Sequence, residues 1–395
     1  MALVASSLRH RSLLVLRHHL RLLCSSPSSP STAPPAAAAP LFSGHHAFDP
    51  AIRRLARARR FFDIEALLEP LKKDPRASDE SFLASVITSY ASAGMLDHAL
   101  RTLDEVPSLG APRTSLSLNA LLSALNHSDL PASRRRVPDL FADLTRRLPI
   151  SPDKVSYGIL VKSHCLAGDA KKALSVLKEM EQKKIEVTTV TYTTLLDSLY
   201  KEGRPEEAER LWKEMEKKGC KRDLPAYNVR VMYRALHGKP QDVLDLIREI
   251  EAAGLKPDTI TYNYIMSCYC SHGRFEEAKN VYKGLEEKGC VPNTATLKNL
   301  LASLCKIEDF DGGLEVFMDG MKLHKVPDLG TVKLLVEGLM KNSKVRAAKR
   351  VVSGLKKKFP EDFTGDWRKL EKVVAMDVDV DVDVDGDGAE QAAVA

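Results

Sequence analysis

Apolar residues in this chain recur at three- and four-residue spacing in short blocks, and the blocks come in pairs. In 189–223, Tyr192, Leu195, Leu196 and Leu199 mark the apolar stripe of a first helix. Gly203-Arg204-Pro205 then interrupts the pattern. Glycine ends a helix at little cost, and proline suits the first turn of the next one. The second block sets Ala208, Leu211, Trp212 and Met215 on one face, with Glu and Lys opposite, and Gly219 closes it. A helix pair of about 35 residues cannot bury its own apolar faces, so it must stack on neighbours of the same kind.

The phrase repeats. Tyr157, Tyr192, Tyr227 and Tyr262 are evenly spaced, and Gly168, Gly203, Gly238 and Gly273 follow each at the same interval. Ala173, Ala208 and Ala278 come next in register, with Val243 in the remaining unit. A fixed period of about 20–50 residues signals an array. The phase gives clear units at 154–188, 189–223, 224–258 and 259–293, and weaker ones at 294–328 and 329–363. Upstream, 80–114 fits, 115–153 carries about four extra residues near Pro131-Ala132-Ser133-Arg134, and 45–79 is a degenerate capping repeat retaining mainly its second helix, Asp63 to Leu71. The expected fold is all-α: a right-handed α-solenoid of about nine 35-residue helix-turn-helix repeats. The repeat array spans 80–363, with a short C-terminal helix over 364–376.

The two ends differ from the array. Residues 1–48 hold Arg9, Arg11, Arg17 and Arg21, many Leu and Ser, and no acidic residue. Leucines interspersed with arginines predict an amphipathic import leader for the mitochondrion, with the plastid as the alternative. A Pro/Ser/Ala spacer runs from Pro27 to Pro40. Residues 377–395 form an acidic tail, expected to be disordered, in which Asp alternates with Val or Gly. Asp381, Asp383, Asp385 and Gly386 resemble the opening of a calcium loop, but Ala392 stands where that loop needs a bidentate Glu. Starting at Asp379 instead brings Glu390 to that place and puts Val384 where glycine belongs. Neither register works, so no metal is expected there.

Charge and candidate chemistry change the picture little. The net charge is +6. Setting aside four leader arginines and seven tail carboxylates leaves a net of +9 for 49–375, which modestly favours a polyanionic partner. Cys165, Cys270 and Cys305 fall at one position of their units, and Cys220 and Cys290 at another. Residues translated along an array do not converge on one metal, so these thiols read as small hydrophobes. His164, His237 and His272 lie one per unit. There is no phosphate loop, no nucleophile elbow and no paired-carboxylate centre, so neither an enzyme nor a cofactor is expected.

The unit reading Val-Thr-Tyr-Thr-Thr-Leu-Leu, then Lys-Glu-Gly-Arg, Glu-Glu-Ala and Met-Glu-Lys-Lys-Gly-Cys resembles the pentatricopeptide repeat. Gly254-Leu255-Lys256-Pro257-Asp258 followed by Tyr262-Asn263 is similar again. The resemblance covers about 45–363, and the uniform lengths resemble the pure class of plant-type organellar members. It implies binding of single-stranded organellar RNA, one base per unit. The fifth and last residues of a unit would read the base, and an apolar second residue would flank it. Carried onto this chain, Thr193 with Asp223 implies guanine, Asn228 with Asp258 uracil, and Asn263 with Asn293 cytosine. Asn119 with Asp153 implies uracil in the unit that carries the insertion. The flanking residues would be Val155, Val190, Pro225 and Ile260. Lys298 and Lys333 stand at reader positions and would meet phosphate.

Two functions follow. The first is a mitochondrial RNA-binding protein acting in organellar RNA metabolism or translation on mRNA or rRNA, as family members built into the mitochondrial ribosome do. The alternative is a helical-repeat protein–protein interaction scaffold. Neither needs a membrane or a small-molecule substrate.

Overall fold

The computed structural model describes residues 49–128, 131–359 and 364–375. The leader over 1–48 and the tail over 377–395 lie outside the described residues. Two compact units divide the chain after Cys220.

The first unit contains α1 (Asp49–Arg57), α2 (Phe61–Leu68), α3 (Glu80–Ser92), α4 (Leu96–Glu105), α5 (Ser115–His127), α6 (Pro131–Arg135), α7 (Val137–Arg147), α8 (Lys154–Leu166), α9 (Ala170–Gln182), α10 (Thr189–Lys201) and α11 (Pro205–Lys217). The second contains α12 (Leu224–His237), α13 (Pro240–Ala252), α14 (Thr259–Ser271), α15 (Phe275–Lys283), α16 (Thr294–Lys306), α17 (Phe310–Lys322), α18 (Leu329–Lys341), α19 (Val345–Lys358) and α20 (Lys369–Ala375). Every α-helix of eight residues or more from α3 to α19 belongs to a first-and-second pair, as the periodicity predicts.

Within each unit, first helices pack on first helices. α5 lies between α3 and α8, and α8 meets α10; likewise α14 lies between α12 and α16, and α16 meets α18. Each also packs on its own second helix. The repeated tyrosines Tyr157, Tyr192, Tyr227 and Tyr262 are buried at these junctions. The repeated small residues Ala173, Ala208 and Ala278 are fully buried, as is Val243. A small side chain there lets the second helix approach the first closely, which is how each unit gains its dispersion contacts. Leu370 and Val374 of α20 are buried against α18 and α19 and cover the end of the second unit.

Three local features depart from the sequence reading. The segment 45–79 holds a first helix, α1, besides the second. Its second helix passes at Leu68 into a 3-10 turn over Glu69–Lys73 rather than continuing as α-helix to Leu71; Glu69 keeps helical backbone, but Pro70 has no N–H for the α-helical ladder. The extra residues of 115–153 form the short helix α6. Gly238 has φ of −109° and is extended, whereas Gly168, Gly203 and Gly273 have φ near +70° (71°, 69° and 72°).

Left-handed backbone at helix ends is filled by other residues elsewhere. Lys184, Glu308, His324 and Ser343 have φ of 56°, 60°, 55° and 56°. An L-residue there costs about 1–2 kcal/mol relative to glycine. Ser343→Gly is therefore expected to raise unfolding stability by about 1 kcal/mol, read as a higher urea midpoint with an unchanged slope. No gain would mean that the Ser343 side chain contributes as much as its backbone costs.

Candidate nucleic-acid interface

Each first helix from α3 to α18 opens on a polar residue that caps it. Asp153, Asp223, Asp258, Asn293 and Asp328 precede α8, α12, α14, α16 and α18, and each accepts from a backbone N–H in the first turn. Asp153, Asp223, Asp258 and Asn293 are residues expected to read bases, so there capping and reading fall on the same side chains.

In the second unit, the fifth residue of one repeat reaches the cap of the next. Asn228 Nδ2 donates to Asp258 Oδ1 at 3.1 Å, while Asn228 Oδ1 accepts from Thr261 Oγ1 at 2.7 Å. Asp258 Oδ1 also takes the Thr261 backbone N–H at 2.9 Å. One repeat further, Asn263 Nδ2 donates to Asn293 Oδ1 at 3.3 Å, and Asn293 Oδ1 accepts from the Thr296 backbone N–H at 2.9 Å. Asn228 and Asn263 are each only 8% exposed, so the bridges fix their rotamers. Buried Asn263 Oδ1 has no hydrogen-bond partner among the described residues.

These bridges leave different atoms over. At Asp258 every bond runs to Oδ1, and Oδ2, an acceptor, is outside the network. At Asn293 the bonds again run to Oδ1, and the amide Nδ2, a donor, is outside it. Two adjacent repeats of the same backbone design thus offer opposite hydrogen-bonding polarity.

The other candidates differ. In the first unit, Asn119 Nδ2 donates to Asp153 Oδ1 at 3.1 Å, but Ser115 Oγ occupies Asp153 Oδ2 at 2.9 Å. Burial alone would raise the Asp153 carboxyl; the Ser156 backbone N–H, Asn119, Ser115 and the Ser156 hydroxyl outweigh it and hold it below the usual range. Thr193 gives its hydroxyl to the Thr189 carbonyl at 2.9 Å, and Asp223 takes the Ala226 N–H at 3.0 Å. They stand in different units of the chain. Lys298 is exposed and meets a carboxylate: its Nζ lies 3.0 Å from Asp328 Oδ2, and that bond holds the Asp328 carboxyl low. Lys333 pairs with Glu337 at 3.5 Å.

The apolar second residues of the repeats are out in solvent. Val190 is 71% exposed and Ile260 47%; Val155 and Pro225 are also exposed. Leu116 is exposed in the same register and was missed by the sequence reading, although its position in 115–153 carries the signal.

Glu80 was also missed. It is buried and accepts from Thr114 N and Oγ1, both at 2.8 Å, and from Ser117 N and Oγ at 3.2 and 2.6 Å. Alanine at the reader position, Ala84, hid it; Glu80 braces the same inter-repeat step from one turn earlier. Burial raises its pKa, but the Ser117 and Thr114 donors prevail and lower it. Its stabilising contribution is complete above the unfolded carboxylate range and fades as pH falls through the lower native value. Glu80→Gln is expected to cost about 1–3 kcal/mol at neutral pH and less once the wild-type carboxyl is protonated. Urea titrations at neutral and acid pH check this; a cost independent of pH would contradict it.

Cys165 and Cys305 are protonated packing groups. Burial pushes Cys165 and Cys305 up to about 11. Among the described residues no three His, Cys, Asp or Glu side chains gather as a metal site.

Paired helices stacked in register, with capping residues bridged from one repeat to the next, define a helical-repeat protein. The PPR repeat family model matches residues 152–201, 187–231 and 257–306, and the PPR repeat model matches 84–110. The chain is a pentatricopeptide repeat protein. It is 45% identical over 152 residues to a mitochondrial pentatricopeptide repeat-containing protein of Arabidopsis thaliana, covering 38% of this chain and 36% of the relative. It is 44% identical over 152 residues to the Arabidopsis thaliana small ribosomal subunit protein mL103, with the same two coverages. The chain thus spans about a third of the length of these relatives. Among solved structures, maize PPR10 in complex with an 18-nt RNA element aligns at a TM-score of 0.46 and 20% identity, over 83% of this chain and 53% of that one.

Proposed function

We propose that the chain is a mitochondrial single-stranded RNA-binding protein that acts in organellar RNA metabolism or translation, as a factor associated with the mitochondrial ribosome. The single observation that carries RNA reading is the opposite polarity of the two bridged caps. Uracil presents an N3–H donor on its pairing edge and matches the Asp258 Oδ2 acceptor. Cytosine presents an N3 acceptor there and matches the Asn293 Nδ2 donor. Splayed bases read on that edge and packed against exposed side chains are the general mode of single-strand recognition.

The exposed stripe supports the same reading. Pro225 and Ile260 would enclose the uracil, and Ile260 with exposed Ala295 the cytosine. With Asp153 Oδ2 taken by Ser115, and Lys298 and Lys333 held by carboxylates, few repeats offer a free reading atom. Short, modestly specific reading suits a protein held on a larger RNA assembly. The ribosomal role draws on the relatives named above, and the mitochondrial location on those relatives and the arginine-bearing leader.

Crosslinking with RNA sequencing from tagged protein in purified mitochondria, with sedimentation in parallel, tests this. Reads on rRNA and co-sedimentation with a ribosomal subunit are expected. Absence of RNA crosslinks would overturn the proposal and favour a protein scaffold.

A further inference from the structure

The last second helix, α19, is unlike the others. α2, α4, α7, α11, α13, α15 and α17 each carry an acidic residue in the first turn, and α9 is capped by Asp169. α19 has no acid in its first turn and starts from Lys344, whose side chain makes no cap bond. From Lys341 to Lys358 there are eight Lys or Arg and no Asp or Glu.

Helical spacing gathers this charge. Ala348, Val351, Val352 and Leu355 are buried on one side, and Arg346, Lys349, Arg350, Lys356 and Lys357 are exposed on the other. Some of the cations are committed: Lys344 to Asp311 at 2.6 Å, Lys356 to Glu371 at 2.8 Å, and Lys358 to the Met321 carbonyl. The side chains of Arg346, Lys349, Arg350 and Lys357 have no ion pair or hydrogen bond among the described residues. Like charges three and four apart destabilise a helix, and cations in its first turn oppose the helix dipole. An unneutralised face of this kind is a surface for a polyanion.

We propose that the occupant is the chain's own acidic tail, Asp377 to Asp387, seated along the exposed face of α19. The tail carries six aspartates at alternate positions and begins two residues after α20, which packs on α19. An extended run of that length reaches about 36 Å, against about 21 Å for α19. Carboxylates on one edge of an extended chain recur every ~6.7 Å, and helix positions four apart every ~6 Å. The charges match in sign, and Arg346 with Arg350 (four apart) and Lys349 with Lys357 (eight apart) fall one and two such steps from each other. Tethering gives the tail an effective concentration of about millimolar, which no free anion in trace matches. The tail thereby shields the end of the array from non-specific polyanions and yields only to a competitor that contacts several cations at once. This docking does not depend on the base-reading proposal.

Zero-length carbodiimide coupling on the full chain, mapped by mass spectrometry, tests it. A mixture of isotope-labelled and unlabelled protein separates intramolecular from intermolecular products. Intramolecular links from the tail aspartates to Lys349 and Lys357 are expected, at about five times or more the yield at exposed Lys306. High salt is expected to abolish the excess, since exposed charges are screened. Equal yields at all exposed lysines, or links only between molecules, would overturn the proposal. So would protection of Lys349 and Lys357 from acetylation by a homopolymer RNA with no tail links in its absence, which would make RNA the occupant.

Discussion

Asn293→Asp is expected to move the base preferred at its repeat from cytosine to uracil. The change leaves the fold alone, because Asp and Asn cap helices equally well. An aspartate Oδ1 can still accept from Thr296 N and from Asn263 Nδ2, as Asn293 Oδ1 does now. Only the atom outside the network changes, from a donor amide to an acceptor oxygen. A donor facing cytosine N3 becomes an acceptor facing it, and the reverse holds for uracil N3–H. Correct against incorrect base contacts differ by about 1–3 kcal/mol, so the ratio of affinities for C and U at that position should reverse by about tenfold or more. Fluorescence anisotropy with two short RNAs differing at one base measures it. An unchanged ratio would mean that Asn293 is a cap and nothing more.

Ile260→Ser is expected to give the largest loss of RNA affinity for any single exposed residue. Ile260 is 47% exposed, so its removal sacrifices little packing in the free protein. In the bound state it would lie between the uracil and the cytosine and touch both. Loss of one flanking contact is worth about 1–3 kcal/mol per base, so two bases together predict a fall of about 30-fold or more. Thermal unfolding of the variant should match the parent. A variant that binds RNA normally would remove the flanking role; one that unfolds early would show that Ile260 belongs to the core after all.

Much of the architecture was legible because it is written in local periodicity. Tyr192, Leu195, Leu196 and Leu199 define a stripe by spacing alone, and all four are buried. The weaker units blurred for a backbone reason: Glu308, His324 and Ser343 occupy left-handed positions where the clear units place glycine. Their helices form nonetheless, since packing of Leu300, Leu304, Leu335 and Leu339 decides the outcome. The first helix of 45–79 escaped notice because two of its nine residues are adjacent arginines, Arg53 and Arg54, and only Ile52 is deeply buried.

The candidate site was legible as residue types and illegible as bonds. Position in the repeat singled out Asn228, Asp258, Asn263 and Asn293. It did not say that Asn228 and Asn263 would each spend the amide on the following cap. That bridge depends on the through-space offset between successive first helices, which no spacing along the chain encodes. The same offset lets Glu80 stand in for Ala84, brings Ser115 onto Asp153, and pairs Lys298 with Asp328. Exposed cations at reader positions suggest phosphate contacts; the sequence does not show that each also lies beside an acid, Lys298 by Asp328 and Lys333 by Glu337.

Sequencing the RNAs that the purified protein retains from a random single-stranded pool tests the central claim most directly. Adjacent U and C at fixed spacing should be enriched, and Asn293→Asp should convert that pair to U-U. Enrichment of no base at either position, or a motif unmoved by the substitution, would contradict reading by the bridged caps.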